Sequence, residues 1–83
     1  MQDRYLSHKE RCDRVTAALE SKGWTWFRLA AEMGCDYATV RRNFDWQWRK
    51  KHGATDDPRL SLIRCLARAT GTSMGFWADR RES

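Results

Sequence analysis

The chain is poor in proline and lacks long apolar runs. One proline and five scattered glycines occur in 83 residues, which excludes collagen-like repeats and proline- or glycine-rich disordered sequence. No apolar stretch approaches the roughly 20 residues that a membrane-spanning helix needs. Residues 1–10 are too polar for a signal peptide. We therefore predict a soluble, cytoplasmic protein without a membrane partner.

Cysteine and histidine are also too sparse to indicate a reaction centre. The cysteines at 12, 35 and 65 include no C-x-x-C pair, so they provide neither a zinc motif nor a regular disulfide framework. His8 and His52 have no patterned partner, and the H-E-x-x-H, Walker and G-x-S-x-G motifs are missing. We predict that the protein is not an enzyme and has no catalytic residue, metal site or small-molecule cofactor.

Basic residues outnumber acidic ones. The chain has 16 Lys and Arg against 11 Asp and Glu, a formal net charge of +5 and a sequence pI of about 9.6. Such values are typical of domains that bind nucleic acid. A chain of this length buries only about 60% of its unfolded surface and forms one core. We predict a single domain over residues 1–83, with its core at about 7–77 and a frayed tail at 78–83.

Signals for helices recur along the chain, whereas signals for strands do not. A capping box at 7–10, followed by apolar residues at helical spacing, predicts a helix over 8–22 that ends at Gly23. Thr25 is the N-cap of a short second helix that ends at Gly34. The predicted fold class is all-α, a compact bundle of about five helices.

The same signals divide the rest of the chain. Asp36 caps a third helix whose apolar stripe stays in phase beyond the expected end. Residues 45–53 therefore either extend this helix, which fits the stripe better, or form an inserted basic loop. Asp57-Pro58 is an N-cap followed by a proline at the first helical position, which predicts the start of a fourth helix. A last short helix follows Ser73.

The second and third helices together have the layout of a helix-turn-helix. A short helix, a three-residue turn at 34–36 and a further helix follow one another, and the second helix of such a pair enters the DNA major groove. Ala30 lies where the two helices cross, and Val40 faces it from the other helix. A small side chain at this point allows the two helices to approach closely.

The chain resembles the lambda-repressor-like helix-turn-helix superfamily, of the Cro and phage-repressor type. The matching runs are Trp24-Thr25-x-x-x-Leu29-Ala30-x-x-Met33-Gly34-Cys35-Asp36-x-x-Thr39-Val40 and Pro58-x-Leu60-x-x-Ile63-x-x-Leu66-Ala67-x-Ala69-x-Gly71-x-Ser73. Unlike that family, the chain has a longer stretch between the two runs and Trp26 in place of a polar residue. The layout is also similar, more weakly, to small phage regulators of the Ner type. The resemblance implies sequence-specific DNA binding, commonly as a dimer.

The face of the third helix opposite its apolar stripe is predicted to meet DNA. Arginines in the first half of such a helix can form two hydrogen bonds with guanine, whereas later basic residues meet phosphates. The predicted base contacts are Tyr37, Ala38, Arg41 and Arg42, of which Tyr37 belongs to the apolar stripe and Arg41 lies nearer to it but close to the start of the helix. The predicted contacts to the DNA backbone are Thr25, Trp26, Thr39, Arg49, Lys50, Lys51 and His52.

Five tryptophans occur in this short chain. Trp24, Trp48 and Trp77 occupy positions that are typical of a core. Trp26 and Trp46 point away from the apolar stripes, and exposed tryptophans often mark interfaces. We expect Trp26 to press on the sugar-phosphate backbone, and Trp46 to serve a dimer contact or the flank of the DNA.

Together these features predict a transcriptional regulator that binds double-stranded DNA sequence-specifically. It would be a repressor of the phage or mobile-element type that acts as a homodimer on a short operator. The alternative is a small protein-binding module that reuses the same bundle, such as an inhibitor or adaptor, for which the exposed tryptophans would be suited. A steep salt dependence of duplex binding distinguishes the two, because only a DNA binder displaces condensed counterions.

Overall fold

The computed structural model describes residues 5–79, and in this range the fold is an all-α bundle, as predicted. It contains six helices, one more than the approximate number expected from the sequence. They are α1 (His8–Lys22), α2 (Trp26–Met33), α3 (Tyr37–Phe44), α4 (Trp46–His52), α5 (Leu60–Thr70) and α6 (Met74–Ala78). Strands are absent from the described range, where an isolated antiparallel bridge joins Tyr5 to Asp79.

Three of the predicted N-caps, Ser7, Thr25 and Ser73, form their side-chain hydrogen bonds, whereas Asp36 occupies the N-cap position of α3 without one. In α1 the amide of Glu10 donates to the Ser7 hydroxyl at 3.1 Å, and the Ser7 amide donates back to the Glu10 carboxylate at 2.9 Å. The Thr25 hydroxyl accepts from the amide of Arg28 at 3.1 Å and caps α2. Ser73 caps α6 in the same way. Each side-chain oxygen satisfies an amide that would otherwise lack a partner at a helix start.

One apolar core joins the helices. Its centre is the set of fully buried side chains Val15, Leu29, Val40, Phe44, Leu66 and Trp77. The helix α2 packs against both α3 and α5, and α6 packs against α5 and α1. The core therefore fixes the second and third helices from behind and leaves their other faces open.

The predicted extension of the third helix is wrong. α3 ends at Phe44, and Asp45 has an extended backbone with φ −99° and ψ 104°. The Asp45 carboxylate accepts from the amides of Gln47 at 3.1 Å and Trp48 at 3.4 Å, so that it caps a separate helix, α4. Aspartate is favoured at a helix N-cap, where its carboxylate accepts from free amides, and is disfavoured inside a helix. The helix therefore ends at Asp45 and a new one begins.

The start of α5 lies later than predicted. Its N-cap is Arg59, with an extended backbone, and Asp57-Pro58 belongs to the loop that precedes it. The Arg49 guanidinium donates to the carbonyl of Asp56 at 2.8 Å. This hydrogen bond ties the loop to α4 at Asp56. The backbone becomes helical only after Arg59.

The predicted frayed tail begins too early. Ala78 lies in α6, and its carbonyl accepts from the amide of Leu6 at 2.9 Å. Asp79 takes part in the bridge to Tyr5. These contacts bring the two ends of the described chain together, and the prediction for residues 80–83 lies outside the described range.

Candidate nucleic-acid interface

The crossing of α2 and α3 has the predicted form. Ala30 is 4% exposed and Val40 is fully buried. The helix α2 ends at Gly34, whose φ of 70° lies in the left-handed region that favours glycine. The amide of Cys35 donates to the carbonyl of Ala30 at 3.0 Å and closes the turn. The tight turn and the small side chain hold α3 across α2.

The outer face of α3 carries the exposed residues Ala38, Thr39 and Arg42. Arg42 lies between two open clefts, of about 480 and 440 Å³. Thr39 lines the larger cleft, against the loop and α5, while Ala38 and His52 line the smaller one. The structure thus brings four of the predicted contact residues together on one surface.

The Arg42 side chain is available to a ligand. Within residues 5–79 no ion pair or side-chain hydrogen bond involves its guanidinium, although its carbonyl accepts from Arg49. A guanidinium carries five N–H donors in a planar fork that matches the two acceptors of guanine in the major groove. Of the two arginines predicted to contact bases, Arg42 is the one whose guanidinium has no partner within residues 5–79.

Arg41 and Tyr37, by contrast, are engaged within the protein. The Arg41 guanidinium donates to the Asp45 carboxylate at 2.8 and 2.5 Å and to the Tyr37 hydroxyl at 2.5 Å. Burial lowers the pKa of Arg41, but the hydrogen bonds to Tyr37 and Asp45 outweigh that effect and raise it. We therefore leave both residues out of the surface that would read bases.

The structure contradicts the predicted phosphate contact of Arg49. This side chain is only 4% exposed. It donates to the carbonyl of Arg42, at the end of α3, at 2.9 Å and to that of Asp56, in the loop, at 2.8 Å. Its Nε lies buried without a hydrogen-bond partner among the described residues. The guanidinium points inward because it donates hydrogen bonds to these two carbonyls, and it is therefore not available to a phosphate.

The basic end of α4 is divided between two surfaces. Lys50, Lys51 and His52 are exposed. The His52 ring stacks on Trp48 with centroids 4.4 Å apart, and it borders the cleft that contains Arg42. Lys50 instead lines a shallow cleft beside α1, with Asp13. Of these two predicted phosphate contacts, only His52 lies beside the outer face of α3.

The prediction that Trp26 and Trp46 are exposed is wrong, since both side chains are half-buried. Trp26 packs against the core, with the Arg41 guanidinium 5.8 Å from its ring centroid. Trp46 lies under two cations, Lys9 and Arg49, each 5.9 Å from its ring centroid. Periodicity places these rings outside the apolar stripe, but neighbouring cations cover them. Thr25 is exposed at the start of α2, where its hydroxyl forms the cap.

Trp48 is also less buried than predicted. It lies half-buried on α4, stacked on His52, with the Arg41 guanidinium 5.0 Å from its ring centroid. Trp77 is fully buried and Trp24 packs against the core at its edge, in agreement with their predicted positions. The break at Asp45 is the reason that Trp48 does not continue the stripe of α3.

Sequence reasoning missed Phe27. This ring is 67% exposed and lies parallel to that of Tyr37, with a centroid distance of 4.0 Å and an interplanar angle of 13°. The signal was present, because Phe27 is out of phase with the buried stripe of Leu29, Ala30 and Met33. A large apolar residue on the polar side of α2 is a candidate contact residue.

Hydrogen bonds to three main-chain carbonyls join α1, α3, α4 and the following loop. The His8 ring bonds the carbonyl of Asn43 through Nε2 at 2.7 Å. We call this group, with the Arg49 guanidinium and the carbonyls of Arg42 and Asp56, the polar joint. Arg11 approaches Nδ1 of His8 at 3.0 Å. Burial lowers the pKa of His8, the Asn43 carbonyl opposes that shift, and the charges of Arg49 and Arg11 add to it.

Comparisons with known proteins give no match: no family model, no curated protein and no solved structure is similar to the chain. Between residues 5 and 79, no helix has the length and apolarity to cross a membrane. In the same range no three metal-binding side chains form a cluster.

Proposed function

We propose that this protein binds double-stranded DNA sequence-specifically, with α3 in the major groove. The observation that carries the proposal is the outer face of α3. Ala38, Thr39 and Arg42 lie there on a helix that packs against α2, with Ala30 of α2 and Val40 of α3 both buried. The free guanidinium of Arg42 is the only cation among these three residues, and it would bond a guanine edge.

Phosphate contacts would come from around this face. Lys51 and His52 lie at the end of α4, with His52 beside Arg42, and Thr25 lies at the exposed start of α2. The net charge of +5 favours the approach of any polyanion. Most hydrogen bonds between proteins and DNA go to the backbone, so these residues would supply affinity, whereas Arg42 would supply sequence specificity.

We extend the proposal to transcriptional regulation. A domain of this size with a single reading helix covers only a few base pairs, so two copies on a two-fold operator would give the selectivity that one lacks. The same protein would then act as a repressor by occupying the operator. The two half-sites would lie about one helical turn apart.

The test compares Arg42→Ala with Arg64→Ala, which removes the same charge from an exposed position on α5. A duplex is first selected from a random pool by the wild-type protein. On that duplex Arg42→Ala is expected to cost about 1–3 kcal/mol of binding free energy, and much less on a scrambled duplex. Arg64→Ala should affect both duplexes weakly and equally.

Two outcomes would contradict the proposal in different ways. Equal losses on both duplexes for Arg42→Ala would remove its role as a base reader. A protein that does not bind duplex DNA at physiological salt, and whose affinity at lower salt does not fall as salt is added, would refute DNA binding itself. A DNA-binding protein must show that fall, because it releases counterions when its basic residues neutralise phosphates. That second result would favour the protein-binding alternative.

A further inference from the structure

Phe27 lies at the junction of α2 and α3 with most of its ring in solvent. Its exposure is 67%, whereas Leu29 on the same helix is fully buried. The ring covers the face of Tyr37, the first residue of α3, at 4.0 Å. Phe27 therefore lies against the first residue of α3, at the end of the helix where a reading helix meets base edges, and the two residues that follow, Ala38 and Thr39, are exposed.

The position of Phe27 is held by a chain of contacts. Tyr37 packs against the core, and its hydroxyl accepts from Arg41. Arg41 in turn is bonded to the buried carboxylate of Asp45. A ring stacked on so fixed a partner loses little further freedom when a ligand covers it, which favours binding.

The chemistry of the surrounding surface selects among possible ligands. Phe27, Ala38 and Thr39 offer carbon atoms, and Arg42, which lines one cleft with Ala38 and another with Thr39, offers the charge. In the major groove the thymine methyl is the apolar feature that distinguishes one base pair from another, and phenylalanine and alanine are among the side chains that contact it. Arg42 would bond the guanine of an adjacent pair.

We infer that Phe27 is a specificity-determining residue that contacts a thymine methyl, so that the preferred half-site contains thymine next to guanine. The inference rests on the proposed function, since it needs α3 to lie in the groove. It goes further in naming the base that an α2 residue would read. It also gives a role to an exposed aromatic ring that contributes little to the core.

The experiment uses the selected duplex, with each thymine replaced in turn by deoxyuridine, which lacks only the 5-methyl group. For the wild-type protein we expect one replacement in each half-site to lower affinity about fourfold, the effect of one methyl group withdrawn from an apolar contact. Phe27→Ala should bind the thymine duplex more weakly and should no longer distinguish it from the deoxyuridine duplex at that position.

Leu60→Ala is the matched control, because Leu60 is 63% exposed and lies at the start of α5, outside the outer face of α3. It should keep the wild-type discrimination. A wild-type protein that binds the selected duplex equally with thymine or deoxyuridine at every position overturns the inference and leaves the proposed function intact. Unchanged discrimination in Phe27→Ala, or lost discrimination in Leu60→Ala, also overturns it.

Failure of the proposed function has a different signature. A wild-type protein that selects no duplex and shows no fall of affinity with salt refutes DNA binding, and the inference falls with it. In that case, self-association that Phe27→Ala abolishes would identify the exposed ring as a contact between two copies of the chain. Circular dichroism of each variant confirms that the helical fold is retained.

Discussion

The α2–α3 crossing and the polar joint position the same helix by different interactions. At the crossing, Ala30 of α2 and Val40 of α3 are both buried in the apolar core. At the polar joint, the last turn of α3 is held by hydrogen bonds from Arg49 and His8 to the carbonyls of Arg42 and Asn43. Apolar burial scales with the area removed from water, whereas hydrogen bonds depend on geometry and protonation.

The crossing and the polar joint should therefore affect different properties, the crossing the stability of the whole fold and the polar joint the local arrangement of the surface around α3. The residues named at the crossing, Ala30 and Val40, carry no titratable group, so we expect little direct pH dependence there. The polar joint contains a buried guanidinium and an imidazole, and it fixes the loop that lines the cleft beside Arg42. We therefore expect damage at the core behind the crossing to unfold the protein, and damage at the polar joint to alter the surface around α3 first.

The largest expected effect tests the apolar side. Leu66 is fully buried on α5, which packs against α2 behind the crossing. Leu66→Ala should lower the free energy of unfolding by about 2–5 kcal/mol, because the missing methyl groups leave a cavity. Urea denaturation followed by circular dichroism measures it. Leu60→Ala removes the same atoms from a residue that is 63% exposed, and should change stability by less than about 0.5 kcal/mol. Equal losses would mean that the core does not lie where described.

The crossing could be predicted from the sequence and the polar joint could not. Helical spacing of Leu29, Ala30 and Val40 identifies buried positions, and Gly34 marks the turn, because apolar burial and backbone conformation leave local patterns. Arg49 follows no such pattern. A basic residue in a basic run is interpreted as solvent-exposed, and its burial depends on two carbonyls, each seven residues away, that a turn before α4 and a loop after it bring to the guanidinium.

The same reasoning explains the other differences at the site. Asp45 ends α3 because its carboxylate caps α4, yet the apolar phase of Trp48 favours one continuous helix. Both readings satisfy local propensity, and the tertiary contacts decide between them. Arg41 was predicted to read bases from its position alone, although an ion pair with Asp45, four residues later, was available from the spacing.

A smaller loss is expected when the guanidinium of the polar joint is removed. Arg49→Met keeps most of the side-chain volume but leaves the carbonyls of Arg42 and Asp56 without their donor. The expected cost is about 1–3 kcal/mol of unfolding free energy, since unsatisfied polar groups are costly only where water cannot reach them. Arg64→Met, at an exposed position, is the control and should be nearly neutral.

The effect of Arg49→Met should be confined to the surroundings of the polar joint. In Arg49→Met, amide hydrogen exchange should rise at Ala54, whose amide donates to the carbonyl of Arg49, and little at Val40 in the crossing. A uniform rise across the chain would mean that the polar joint and the crossing are one cooperative unit. A variant as stable as the wild type would show that the buried guanidinium contributes nothing.

The smallest expected effect is a pH dependence confined to the polar joint. Arg11 approaches Nδ1 of neutral His8, so the proton lies on Nε2 and is donated to the Asn43 carbonyl. A second proton would enter beside Arg11 and Arg49, and Asp57 opposes these charges only as a smaller effect. Cys12, 3.5 Å from Nε2, stays neutral because burial raises its pKa to about 11. Neutral His8 is therefore favoured in the folded protein.

The lowered pKa of His8 fixes the direction of the effect. Below the ordinary histidine pKa of 6.5, the unfolded chain binds a proton that the folded protein binds less readily. Stability should therefore fall as the pH decreases through 6.5 toward the lower folded value. The urea midpoint, measured from about pH 7.5 to about pH 5, should drop more steeply for the wild type than for His8→Gln, which cannot titrate. Equal slopes for wild type and His8→Gln would show that the imidazole of the polar joint accepts a proton as easily as one in water.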